Sequence, residues 1–316
     1  MIFTLSKLKE VQSYESRATS VDLPLIYSEN SQNNAISTIP STLNFPPRRV
    51  GAAATTLHGK TYLFSGRGGI AMIPIEEHGS LWAFDPTTAN WDLQTPTSSI
   101  QPYPEARSYH SLTNDGRDTV YLHGGCPESG RLSDLWSFHI PSKSWTRLMS
   151  APGPPRGGTS IAFSGGLLYR MNGFDGKTEQ GGTLDIYSPD TNTWVTHVYH
   201  ADGQSGPGPR SVSALISLTV NGRLSLLTLF GERDPSPLGH HGAGKMLDDV
   251  WIFDVESRVW SEVQAGGYLT EPFIGEELKP APRGWFAAEA IGGCIAVQGG
   301  LGESNERLGD VWLLKF

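Results

Sequence analysis

The sequence predicts an all-β protein, a β-propeller assembled from four-stranded antiparallel blades. Three observations predict it: a hairpin-forming unit that recurs five times, a pair of tryptophans at fixed spacing in most units, and glycine and proline spread along the chain rather than pooled.

The recurring unit comes first, because an internal repeat decides the architecture. An arginine opens each unit and a glycine turn closes its first half. The pairs are Arg49 to Gly66, Arg107 to Gly125, Arg156 to Gly173, Arg210 to Gly231 and Arg283 to Gly300, at separations of 17, 18, 17, 21 and 17 residues. Two apolar stretches joined by a small turn lie between them, as in AAATTLHGKTYLFSG and AAEAIGGCIAVQGG. This is the pattern of a β-hairpin. A loop then leads to an apolar-Trp step, usually preceded by Asp: Leu81-Trp82, Asp134-Leu135-Trp136, Asp249-Val250-Trp251 and Asp310-Val311-Trp312. A second tryptophan follows nine residues later at Trp91, Trp145 and Trp260; the third unit keeps Trp194 but places Asp185 where its first tryptophan would be. Each unit therefore reads as four strands, a to d, with aromatics on c and d. A sheet of this kind cannot cover both of its faces alone. Stacking blades covers them, and the indoles supply the apolar area between sheets.

Residues 47–316 hold the five recognisable blades. The fifth unit runs out at Leu313-Leu314-Lys315-Phe316 before any strand d, and Phe3–Leu8 is expected to supply that strand. Residues 12–46 contain no Gly, no Trp and no Arg-to-Gly hairpin. Segment 1–46 is therefore read as a closing strand followed by an irregular connector or a degenerate, incomplete sixth blade.

Composition narrows the partners. The net charge is −8 with no run of Lys or Arg, which excludes a phosphate-backbone partner. No stretch reaches the length of a membrane span, and MIFTLSKLKEV lacks the apolar core of a secretory signal. Two cysteines, Cys126 and Cys294, make no disulfide framework, so a cytoplasmic location is expected.

Blade geometry restricts where a site can be. Strands a and b are antiparallel, so the start of a and the end of b share one rim. Arg107, Arg156, Arg210, Arg283 and Trp285 belong there, with the b–c loops 70–79, 127–132, 175–181, 232–246 and 301–308. The arginines have two readings: hydrogen-bonding to carbonyls of a neighbouring blade, or attraction of an anion such as sulfate or carboxylate. The fourth loop gathers Glu232, Asp234, His240 and His241 between glycines. Carboxylates and imidazoles with open positions suit Fe(II) or Mn(II); the other reading is a solvated loop with a turn at Asp234-Pro235. No GxSxG, CxxC or P-loop occurs. Cys126 lacks the Tyr/His set of a copper-radical site.

The glycine turns, spaced aromatics and period near ~50 residues resemble kelch repeats, which implies a kelch-type β-propeller over residues 47–316. The runs FGERDPSPLGHHGAGK, PEARSYHS and APRGWF resemble the nitrile-specifier, epithiospecifier and thiocyanate-forming proteins of glucosinolate breakdown and their fungal kelch relatives. That resemblance implies Fe(II)-dependent steering of the aglycone left by myrosinase. The family's iron motif, Glu-x3-Asp-x3-His, falls on Glu232, Ser236 and His240. Serine stands in the middle position, and Asp234 is the nearest carboxylate. The implied substrate-binding arginine is Arg107 and the implied pocket tryptophan is Trp285. Two functions stay open: a specifier-like metalloprotein acting on a small anionic metabolite, and a non-catalytic kelch scaffold whose rim binds a protein partner.

Overall fold

The repeat becomes five four-stranded antiparallel blades of a β-propeller in a computed structural model that describes residues 25–26, 37–38, 45–98, 100–236, 242–263, 269–272 and 279–316. A short pair, β1 (Leu25–Ile26) and β2 (Ser37–Thr38), precedes them. Blade 1 is β3 (Ala53–Leu57), β4 (Lys60–Phe64), β7 (Leu81–Asp85) and β8 (Asn90–Gln94), with a two-stranded ribbon, β5 (Arg67–Gly68) and β6 (Ile73–Pro74), in its b–c loop. Blade 2 is β9 (Ser111–Asn114), β10 (Thr119–Gly125), β11 (Leu132–His139) and β12 (Ser144–Leu148). Blade 3 is β13 (Ser160–Ser164), β14 (Leu167–Met171), β15 (Thr183–Ser188) and β16 (Thr193–Val198). Blade 4 is β17 (Ala214–Val220), β18 (Arg223–Leu229), β21 (Val250–Asp254) and β22 (Val259–Glu262), with the ribbon β19 (Glu232–Arg233) and β20 (Lys245–Met246) in its b–c loop. Blade 5 takes strands a to c from β24 (Ala287–Ile291), β25 (Cys294–Leu301) and β26 (Arg307–Lys315). No helix of the described residues is long and apolar enough to cross a membrane.

The fourth strand of blade 5 is β23 (Leu269–Pro272), paired with β26 from Leu269↔Lys315 to Pro272↔Trp312. The place expected for residues 3–8 is thus filled from the run-up to the blade itself. Proline, which has no amide to donate, suits such an outer strand. Residues 3–8 lie outside the described residues.

The chain forms two compact units, Met1–Leu122 with Trp136–Arg147, and His123–Leu135 with Leu148–Phe316. The first unit buries Trp82, Trp91, Trp136 and Trp145 with Phe64, Phe84 and Phe138; the second buries Trp251, Trp260 and Trp312 with Leu227, Phe253 and Val297. The indoles fall where the nine-residue spacing puts them. Trp194, which lacks a first-tryptophan partner, stays partly exposed and donates from Nε1 to Met149 O at 2.8 Å.

His110 lies in the first core against Phe64, ring centroids 5.6 Å apart. Burial, and then the charge of Arg107, lower its pKa to about 3. The native state therefore holds it neutral while the unfolded chain takes up a proton below pH ~6.5. Stability that is full above that pH is lost as pH falls from about 6.5 toward 3. Between pH 7 and pH 5 the loss is about 2 kcal/mol. Urea unfolding of wild type and His110→Leu at both pH values is expected to show this increment in wild type alone; equal pH dependence in both would contradict it.

Candidate functional site

The opening arginines build their own blades. Arg49, Arg156, Arg210 and Arg283 each donate from Nη1 to the carbonyl just before the glycine turn, those of Ser65, Asn172, Phe230 and Gly299, at 2.8–3.1 Å. Nε of each, and of Arg107, donates to a carbonyl two residues back. The neighbouring-blade contact is made instead by the arginine's own carbonyl. It accepts the amide of the preceding unit's turn glycine: Gly66 to Arg107 in the first unit, and Gly125 to Arg156, Gly173 to Arg210 and Gly231 to Arg283 in the second, at 2.8–3.0 Å. Gly231 needs to be glycine: its φ is +111° and a Cβ would stand 2.8 Å from Ser211 O. Carboxylates complete two arginine pairs in the second unit. Burial pushes the Asp249 and Asp310 carboxyls up, but hydrogen bonds and charge from Arg210 and Arg283 bring them below their ordinary value.

Two residues beyond each arginine the backbone turns left-handed, at Gly51, Tyr109, Gly158, Val212 and Trp285. In the second unit the Val212 amide donates to Gly158 O at 2.9 Å and the Trp285 amide to Val212 O at 3.1 Å. Trp285 is thereby held at φ +61°, a strained value for an aromatic residue that the surrounding bonds enforce. Its indole Nε1 donates to Glu232 Oε2 at 3.1 Å.

Glu232 begins β19. Its backbone exchanges both hydrogen bonds with Ser211, and Oε1 accepts the Gly244 amide at 2.6 Å. The residue is only 7% exposed. A side chain at Gly244 would stand 2.7 Å from that carboxylate, so the loop needs glycine there. Glu179, whose backbone bridges Phe174 in the blade 3 loop, joins this place. Burial raises its carboxyl pKa, the negative charges of Glu232 and Asp234 add to the rise, and the Asp234 amide partly offsets it. Glu179 of blade 3 thus lies within electrostatic reach of Glu232 and Asp234 of blade 4.

The residues expected from sequence divide as follows. Glu232, Asp234 and Trp285 stand in the second unit, with Asp234 exposed and 3.6 Å from Arg233 Nε. Arg107 belongs to the first unit and is wholly buried: its amide donates to Ser65 Oγ at 3.0 Å and its Nε to Glu105 O at 2.9 Å. His240 and His241 lie outside the described residues. Glu179 was not expected; it sits in a loop with no repeat mark, and only its acid in a rim loop signalled it. Among the described residues no three His, Cys, Asp or Glu side chains form a metal-ligand group.

Known proteins resemble this chain in sequence. The KLHDC2/KLHL20/DRC7 kelch-repeats domain matches residues 15–231 and 76–278. An N-(sulfonatooxy)prop-2-enimidothioate sulfolyase of Thlaspi arvense is 26% identical over 87% of this chain and 80% of its own length. Human host cell factor 2 is 25% identical over 81% of this chain but 31% of its own length. Acyl-CoA-binding domain-containing protein 4 of Arabidopsis thaliana is 23% identical over 90% and 41%. Five blades, their glycine turns and a match across most of the sequence make this chain a member of the KLHDC2/KLHL20/DRC7 kelch-repeats domain family.

Proposed function

We propose that this chain is a specifier-like kelch protein that holds Fe(II) at the blade 4 rim and steers the rearrangement of a small sulfated metabolite toward a nitrile. One observation carries the reading: Glu232, fixed by the Trp285 indole and the Gly244 amide, acts with its charge on Glu179, whose carboxyl is raised by burial and then by the charges of Glu232 and Asp234. A divalent cation is what such a place favours. The sulfolyase likeness over most of both chains supports the same chemistry.

Carboxylate oxygens joined by a histidine nitrogen are the donors that suit Fe(II). Each Glu232 oxygen accepts one hydrogen bond and keeps a lone pair for a metal. Asp234 and one of His240 or His241 would complete the set, with Ser236 a weak neutral donor in the middle position. When bound, Fe(II) supplies a Lewis acid and a one-electron partner for sulfur. Trp285 orients Glu232 and offers an aromatic face to the substrate.

Iron titration tests the site. Wild type is expected to bind Fe(II), Glu232→Gln to lose it, and Ser236→Asp to bind more tightly. No binding by any of the three would contradict the metal site. The scaffold reading has its own observation: Ile70, Met72 and Ile73 stand exposed on the β5–β6 ribbon of blade 1, apolar surface of the kind a protein partner covers.

A further inference from the structure

Blade 3 breaks the arginine pattern. In blades 1, 4 and 5 a carboxylate closes the opening guanidinium: Glu77, Asp249 and Asp310 each accept from Nη1 and Nη2 at 2.6–2.9 Å. Asp249 and Asp310 hold one ladder position. Leu229 lies opposite Val250 and the Phe230 amide donates to Asp249 O; Gln298 lies opposite Val311, the residue after Asp310. Phe230 and Gly299 are also the residues whose carbonyls take Nη1. In blade 3 that residue is Asn172. Arg170 lies opposite Asp185, which stands where blade 4 has Trp251, so Thr183 takes the sequence place of Asp249. A neutral residue stands where blades 4 and 5 carry the acid.

Arg156 is nevertheless buried, at 3% exposure. Its hydrogen bonds among the described residues are Nε to Pro154 O at 3.2 Å and Nη1 to Asn172 O at 3.1 Å, and it makes no ion pair. The acids nearby act on it through space and spend their hydrogen bonds elsewhere. Asp185 accepts from Arg170 and Thr196, and Asp175 from the amides of Lys177 and Thr178 and from Gln180 Nε2. A second cation, Arg131, acts on the same Asp175 carboxylate as Arg156. The Arg131 guanidinium lies 5.0 Å over the Phe174 ring, and its buried Nε has no hydrogen-bond partner. Phe174 exchanges backbone bonds with Gly157, the residue after Arg156. Two guanidiniums with unused donors are thus drawn to one carboxylate in the blade whose opening arginine lacks an acid of its own.

We propose that blade 3 carries a site for the carboxylate of a small organic acid, its two oxygens taking on Arg156 the place that Asp249 and Asp310 take on their arginines, with Arg131 as the second cation. The proposal goes beyond the metal reading and uses none of its residues.

Acetate is the probe. Thermal unfolding and calorimetric titration compare sodium acetate with sodium chloride and sodium sulfate at equal ionic strength, in wild type, Thr183→Asp and Arg131→Gln. Acetate is expected to bind wild type and raise its Tm in a saturable way. Thr183→Asp should raise Tm in chloride alone and abolish acetate binding, because it fills the place from within. Arg131→Gln should weaken acetate binding several-fold while folding normally. Equal acetate response in all three proteins would overturn the site, and a saturable response to sulfate but not acetate would overturn the carboxylate assignment. Should Thr183→Asp not fold, unchanged acetate affinity in Arg131→Gln overturns the proposal.

Discussion

Alanine in place of Trp136 is expected to remove about 3–5 kcal/mol of stability, the cost of deleting a large buried aromatic. Trp136 is buried edge-on to Trp145, ring centroids 6.4 Å apart and planes at 88°, and the Arg147 guanidinium covers it at 5.7 Å. Trp145 continues the contact to Phe138 at 5.0 Å and to Phe64 of blade 1 at 5.6 Å, so this indole pair joins two blades within the first unit. Phenylalanine at 136 should cost less, since most of the apolar area remains. Denaturant unfolding checks both, and a loss under about 1 kcal/mol for Trp136→Ala would mean the blades are not held by these indoles.

Asp185→Leu is expected to be as damaging, at about 3–5 kcal/mol, because it strands a charge rather than a cavity. Arg170 is 0% exposed. Its Nη1 donates to Asp185 Oδ2 at 2.7 Å and to Pro152 O at 2.8 Å, and its Nε to His123 Nε2 at 3.1 Å. His123 must then be neutral with its proton on Nδ1, which faces Asp134 O at 2.9 Å. Thr196 Oγ1 donates to Asp185 Oδ1 at 2.7 Å, completing the carboxylate. Without Asp185 the guanidinium has no buried counter-charge. Replacing both partners, Arg170→Met with Asp185→Leu, should recover most of the loss, since a packed apolar pair often equals a buried ion pair. A double variant as unstable as the single one would show that the network matters for its hydrogen bonds and not its charge balance.

The repeat made most of the architecture legible. Arg-to-Gly spacings located the a–b hairpins, and the paired tryptophans located strands c and d, because both marks recur wherever blade packing demands them. The exchange of tryptophan for Asp185 in the third unit was visible as a gap. Its meaning was not, since the partner Arg170 comes from strand b and a ladder register is needed to pair them. Thr183, two residues before Asp185, carries the same kind of signal: an acid missing from a position that blades 4 and 5 fill. The fourth strand of blade 5 was misplaced because Leu269–Pro272 carries no tryptophan and no turn glycine. At the rim, Glu232 and Trp285 could be named from motifs. Glu179 required the fold, because only strand order brings the blade 3 loop beside blade 4.

The most direct measurement is the product mixture of a myrosinase–glucosinolate reaction run with this protein and Fe(II). Wild type is expected to divert the aglycone toward the nitrile, Glu232→Gln to leave the mixture as it is without protein, and Ser236→Asp to divert more. A mixture that wild type and Fe(II) leave unchanged would contradict a specifier-type site and leave this rim as a surface for a protein partner.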